Sequence, residues 1–228
     1  MRMMLPALLL LGAVSASSAP VSETAPVVVE LFQSQGCSSC PPADVVLNKL
    51  AGRPDVIALN FAVTYWDYLG WKDTFASPAF TQRQRDYAVA GGHDNVSTPQ
   101  MILNGRTAIV GSRQREVDAA IVRAGRIAGG PAVLINGDTV EIGAGKPVAP
   151  ATLWLVRYDP RAIAVPIRAG ENGGRTITHR NIVRQLTMLG HWSGQAAHYT
   201  LPRYAGSLRS ALILQAGRAG PMLAARRI

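Results

Sequence analysis

Cys37 and Cys40 are the only cysteines in a chain of 228 residues, three positions apart in the string Gly36-Cys37-Ser38-Ser39-Cys40-Pro41-Pro42. Two thiols at this spacing can close a short disulfide, and two alone cannot staple a chain of this length, so their role is local. If a helix begins here, its free N–H groups and dipole stabilise a thiolate on the first cysteine. That makes Cys37 the attacking sulfur and leaves Cys40 to resolve the mixed disulfide. Three other chemistries compete: a purely structural disulfide, a transient Cu(I) site held by two thiolates, and structural zinc. Zinc needs two more ligands, and the histidines are His93, His179, His191 and His198, the last two spaced more widely than a zinc pair usually is.

Other residues near the pair bear on this chemistry. Glu30 interrupts an apolar run seven residues before Cys37. A desolvated carboxyl there would serve as general base for Cys40, and the competing reading is an edge residue that faces solvent or pairs with an arginine. Tyr65, Trp66, Tyr68 and Trp71 place four aromatics in seven positions. Trp66, Tyr68 and Trp71 are candidates for lining a substrate groove, although aromatics at this density more often cover a core. Arg83 and Arg85 are expected on a solvated helix face, with neutralisation of a thiolate as the sharper alternative.

The surrounding periodicity supplies elements to position these groups. Val27 to Phe32 is β-branched and nearly continuously apolar, the pattern of a strand buried on both faces. Pro41 to Leu50 has mostly helical spacing and stops near Gly52, and Val56 to Val63 is a second apolar strand, so a right-handed βαβ unit with parallel strands is predicted. A helix over Phe80 to Ala90 follows, ending at Gly91-Gly92. A hairpin joins Met101–Leu103 to Thr107–Val110 through Asn104-Gly105, and a helix runs over Arg113 to Arg126. From Pro131 onward the pattern becomes antiparallel β, with strands expected at Val133–Asn136, Val140–Ile142, Leu153–Arg157, Ile163–Ile167, Ile177–Leu186, Ser207–Gln215 and Met222–Arg226. Over Ile182 to Leu189 a helical turn or two fits the period equally well.

Met1 to Met4 carries Arg2, Leu5 to Val14 is a short apolar run, and Ser15 to Ala19 supplies small residues, the order of a secretory signal. Export to an oxidising compartment, periplasmic or secreted, follows as an expectation. The 10-residue apolar run is about half the length a membrane-spanning helix needs, so no integral span is expected. The net charge of +9 lies entirely beyond residue 150, where 11 Arg face only Asp159 and Glu171. These arginines alternate with apolar residues and read as a solvated basic face. No nucleic-acid motif accompanies them, so nucleic acid is not an expected partner.

The chain resembles the thioredoxin-like superfamily over roughly Val27 to Arg126: an apolar strand, CxxC at a helix head, and Ser97-Thr98-Pro99 directly before a strand. The resemblance implies that Pro99 is cis and faces the cysteine pair, and that Thr98 helps to shape the pocket. It also implies an acidic residue near Glu30 that takes a proton from the second cysteine, here one residue out of the usual register. More closely, ELFQSQGCSSCPPAD, YWDYLGWKDTFASPAFTQRQRDYA, STPQMILNG and RAGENGGRTITHRNIVRQL are similar to the DUF1223 family of secreted bacterial proteins, whose biochemical role is unassigned. The chain departs from that family's pattern at Ala62-Val63-Thr64, where His-Val-Asp is expected, and at Ser97, where a Tyr often stands. The expectation is therefore an α/β protein: a signal over 1–19, a thioredoxin-like βαβαββα unit over 20–130, and a packed antiparallel β extension over 131–228. Its expected activity is thiol–disulfide exchange with protein thiols or disulfides, without a cofactor. The alternatives are a secreted or envelope-binding protein with a structural disulfide, and a Cu(I) carrier.

Overall fold

The computed structural model describes residues 25–228. The proposed signal over 1–19 lies outside the described residues. The first half runs β1 (Val27–Gln33), α1 (Pro41–Leu50), β2 (Val56–Ala62), α2 (Pro78–Ala90), β3 (Gln100–Leu103), β4 (Thr107–Val110) and α3 (Gln114–Ala124). The β1 strand pairs in parallel with β2 and antiparallel with β3, which pairs antiparallel with β4. This is the predicted βαβαββα order.

The strong apolar pattern of β1 reflects burial on both faces. Val28 and Phe32 pack with Phe61, Phe80 and Tyr87 beneath α2, whereas Val29 and Leu31 pack with Val46, Leu47, Val117 and Ile121 of α1 and α3. Pro41 and Pro42 fit the first turn of α1, where a missing N–H costs little. The α2 helix begins two residues before the sequence-based start, because Ser77 accepts a hydrogen bond from Ala79 N (3.3 Å) as N-cap and Pro78 occupies the first turn. In the β3–β4 turn, Asn104 and Gly105 both have positive φ, as the Asn-Gly pair requires.

The second half contributes β5 (Val133–Asn136), β6 (Thr139–Ile142), β7 (Ala151–Asp159), β8 (Ile163–Pro166), β9 (Thr176–His179), β10 (Ile182–Trp192), β11 (Ala197–Thr200), β12 (Arg209–Ala216) and β13 (Met222–Arg227). Four of these continue the first-half sheet, giving the order β13-β12-β7-β10-β2-β1-β3-β4 in one mixed sheet of eight strands. A three-stranded sheet, β11-β6-β5, packs on one face of it: Val140, Ile142 and Tyr199 lie against Leu153, Leu155, Leu212 and Leu214. The remaining pair, β8–β9, forms a hairpin by itself.

One sequence-based expectation changes here, and one that the period left open is decided. Ile177 to Leu186 is two strands rather than one: Asn181 takes a positive φ between them, accepts a hydrogen bond from Asn60 N and donates through Nδ2 to Ala58 O. Ile182 to Leu189 is strand, and its pairing with β7 shifts register between Val183 and Gln185 and again between Met188 and Gly190. Each irregularity breaks the period of two and leaves the spacing ambiguous between strand and helix. Among the described residues no helix is long and apolar enough to cross a membrane.

Candidate functional site

Cys37 and Cys40 are joined by a disulfide at the head of α1, their Cα atoms 5.4 Å apart. The β1 strand delivers the chain to this point and a tight turn receives it: Cys37 N donates to Ser34 O and Cys40 N to Cys37 O, both at 3.1 Å. Cys40 is the N-cap of α1, and its carbonyl accepts from Ala43 N and Asp44 N. Both cysteines are 0% exposed, while Ser38 and Ser39 between them face solvent. The Sγ atom of Cys37 lies 3.4 Å from Ser39 Oγ, the nearest side-chain hydroxyl.

The Thr98–Pro99 peptide bond is cis and Pro99 is buried. Ser39 Oγ lies 3.5 Å from Thr98 O, which sets this segment beside the cysteine loop. Trp66 Nε1 donates to Thr98 Oγ1 at 2.7 Å, and Trp71 Nε1 donates to Gln35 Oε1 at 2.9 Å. The two tryptophans, both half-buried, thereby flank the loop on Thr98 and on Gln35. Tyr68 is different: at 78% exposed it stands on the surface in the 3₁₀ turn Asp67–Leu69. The departure at Ala62-Val63-Thr64 leaves no ionisable side chain there, and Thr64 bonds Thr81 Oγ1 through both its N–H and its hydroxyl.

Glu30 is not brought to the cysteines. It lies on the α2 side of β1, the face opposite the one on which α1 packs, where Arg83 Nε donates to its Oε1 at 2.8 Å and the Tyr87 hydroxyl donates to its Oε2. Both oxygens are thus engaged, so a role as base for Cys40 is replaced by the competing reading, an arginine pair, and the pair is buried rather than at an edge. Arg83 corrects the expectation of a solvated residue: it is 3% exposed, and Nη2 also donates to Tyr87 Oη and Gln215 Oε1. Arg85 remains exposed.

Several residues that sequence reasoning did not assign to the site come from far along the chain. In the loop joining β8 to β9, Glu171 Oε2 accepts from Ser38 N at 3.0 Å, and hydrogen bonding from Ser38, its hydroxyl first and then its N–H, holds the Glu171 carboxyl below the usual carboxylate range. Beside it the buried Asn172 Nδ2 donates to Gln35 O at 2.9 Å and to Cys37 O at 2.8 Å. Arg175 Nη1 donates to Asn172 Oδ1 at 3.1 Å. The signal for this strap was the Gly-Glu-Asn-Gly-Gly string, which reads locally as a turn and nothing more.

A second group lies beneath α1. Asp44, one helical turn beyond Cys40, accepts from Asn60 Nδ2 at 2.9 Å and lies 2.9 Å from His179 Nδ1 of β9. Burial pushes the His179 imidazole down, but the Asp44 and Asp73 carboxylates outweigh it and hold the ring above its ordinary value of 6.5. Asp73 is pushed up by burial, against the pull of the Gln35 and Phe75 N–H groups that bond it. Beneath the cysteine helix sits a buried carboxylate–imidazole pair, and no short-range pattern joins its two members.

The comparisons with other proteins agree with this architecture. The crystal structure of protein AGR_C_4864 from Agrobacterium tumefaciens is similar over 91% of this chain and 95% of that one, with 32% sequence identity and a TM-score of 0.71. HBP35 of Porphyromonas gingivalis is similar over 91% of this chain and 76% of that one with a TM-score of 0.59, and at 12% identity it shows likeness of fold alone. No curated protein matches the chain. Residues 28–215 match the family described as protein of unknown function, DUF1223, a span that takes in the cysteine loop, Thr98–Pro99, the tryptophans and the Glu171–Asn172 strap. The chain belongs to the DUF1223 family.

Proposed function

We propose that this protein is a thiol–disulfide oxidoreductase of thioredoxin-like build, exported to the periplasm or secreted, which exchanges disulfides with protein partners through Cys37 and Cys40. One observation carries the reading: the disulfide stands at the head of α1 beside a cis Thr98–Pro99 bond. A helix head lowers the cost of a thiolate on its first cysteine, so Cys37 is the sulfur that meets the partner. A partner thiolate attacks Cys37 Sγ, the Cys37–Cys40 bond breaks, and Cys40 leaves as a thiolate that takes up a proton. A second partner thiolate then attacks the partner sulfur of the mixed disulfide and releases Cys37. The partner gains one S–S bond and the pair gains two electrons and two protons, and the reverse sequence reduces a partner. Asp44 on α1 with His179 on β9 is the buried ionisable pair beneath the Cys40 helix and takes the proton-handling role in place of Glu30. Thr98, Pro99, Trp66 and Trp71 shape the surface around the loop, and exposed Tyr68 extends it outward. Residues 20–130 carry the cysteine pair and Thr98–Pro99, and residues 131–228 complete the sheet and supply His179 and the strap.

A structural disulfide in a secreted binding protein is the second reading, and the complete burial of both cysteines favours it. Reduction of the folded protein separates the two. The expected result is a defined redox equilibrium with glutathione, first alkylation at Cys37 at mildly acidic pH, and mixed disulfides trapped on Cys40→Ala and identified by mass spectrometry. A disulfide that resists dithiothreitol until the protein unfolds selects the structural reading.

A further inference from the structure

The strap from the second half reaches the cysteine loop itself and sets a carboxylate against it. When the disulfide opens, the Cys37 thiolate depends on N–H and O–H donors at the head of α1 for stabilisation. The Glu171 carboxylate sits beside that sulfur's own residue, bonded to the backbone N–H of Ser38, the residue next to Cys37, at 3.0 Å. Glu171 forms no ion pair among the described residues. Arg175, on the same loop, is directed instead to Asn172 Oδ1. The carboxylate is also held in register: Asn172 pins the loop to both Gln35 O and Cys37 O. Two turn bonds shape its tip, Gly173 N to Gly170 O and Arg175 N to Asn172 O. The Ser39 hydroxyl, which donates to Thr98 O at 3.5 Å, lies 3.4 Å from Cys37 Sγ.

We infer that Glu171 is a positioning residue that sets the redox poise of the Cys37–Cys40 pair, biasing it toward the disulfide. This deepens the proposed thiol–disulfide exchange and rests on that reading. Glu171 acts on the pair by placing a like charge next to the thiolate. That charge raises the free energy of the Cys37 thiolate and does not touch the disulfide, so the reduced pair is disfavoured and its electrons are given up more readily.

Glu171→Gln tests this, because the amide keeps the shape and one acceptor oxygen while removing the charge. On a Cys40→Ala background, the pH dependence of Cys37 alkylation should shift to lower pH, with a thiolate-to-thiol ratio about three- to tenfold higher, as expected for losing one nearby exposed charge. In the two-cysteine protein, above the thiol pKa, the glutathione exchange constant should move toward the dithiol by the same factor, about 15–30 mV at 29.6 mV per tenfold. The shift should shrink as salt rises, since the carboxylate is exposed, and Glu141→Gln on β6 of the three-stranded sheet should reproduce none of it. An unchanged Cys37 profile and exchange constant in Glu171→Gln would overturn the inference while leaving exchange itself intact. Failure of the exchange reading gives a different result, a disulfide in the parent protein that does not reduce in the folded state.

Discussion

Arg83 is the most consequential side chain that the sequence left on the surface, and removing its charge should cost more than any surface change. In Arg83→Met the volume is nearly kept, but Glu30 loses the guanidinium 2.8 Å away in a site where the two side chains are 2% and 0% exposed. Tyr87 and Gln215 each lose a donor, and the guanidinium's contacts over Phe61, Tyr87 and Trp154, at 5.7, 5.2 and 5.5 Å from the ring centres, go with it. Breaking one side of a buried pair typically costs about 3–5 kcal/mol, because the partner charge stays buried and uncompensated. Against a domain stability of about 5–15 kcal/mol this is about a fifth of the total or more. At a urea slope of roughly 2–3 kcal/mol per molar, the unfolding midpoint should fall by about 1–2.5 M. The double variant Glu30→Gln/Arg83→Met, which removes both charges, should recover at least about 2 kcal/mol relative to the sum of the single changes. Urea titrations of the oxidised protein followed by circular dichroism measure all three. A loss below about 1 kcal/mol in Arg83→Met, or strict additivity of the pair, would refute the claim that this ion pair carries its charge in isolation from water.

Two other perturbations test the groups around α1. Because the His179 imidazole is raised above 6.5 in the folded state, its contribution is fully present below that value and is lost as pH rises through the raised one. His179→Gln should therefore lower the urea midpoint more at pH 5.5 than at pH 9, and parallel curves for the two proteins would contradict it. Asn172→Ala leaves Gln35 O and Cys37 O without the donor that serves them both. It should cost about 2–3 kcal/mol and should speed reduction of Cys37–Cys40 by dithiothreitol, read by thiol trapping, and an unchanged reduction rate would show that the strap does not guard the pair.

The short-range content of the chain specified a good deal. The apolar run from Val27, the cysteines directly ahead of Pro41-Pro42, the Asn104-Gly105 turn and the alternation after Pro131 are patterns within one element or one turn. Such patterns act through backbone geometry and burial that a few neighbouring residues determine. They placed the disulfide at a strand–helix junction and the order βαβαββα ahead of a β-rich second half, and the fold has both. Even there the local signal stopped short where it was irregular, as in β10, whose two register shifts hid its period.

What only the tertiary structure decided is which side chains meet. Side chains alternate between the two faces of a strand, so one residue of register separates the α1 side of β1, held by Val29 and Leu31, from the α2 side that holds Glu30. No count of residues before Cys37 could fix that face, and it moved Glu30 from the cysteines to Arg83. Asn172 reaches Cys37 from 135 residues away, and His179 reaches Asp44 over the same separation. Glu171, read from the chain as one of two acids among eleven arginines, became a ligand of the loop's own N–H. These contacts depend on β10 docking beside β2 and on the β8–β9 hairpin folding back over α1, pairings between distant segments that leave no periodic trace in either one.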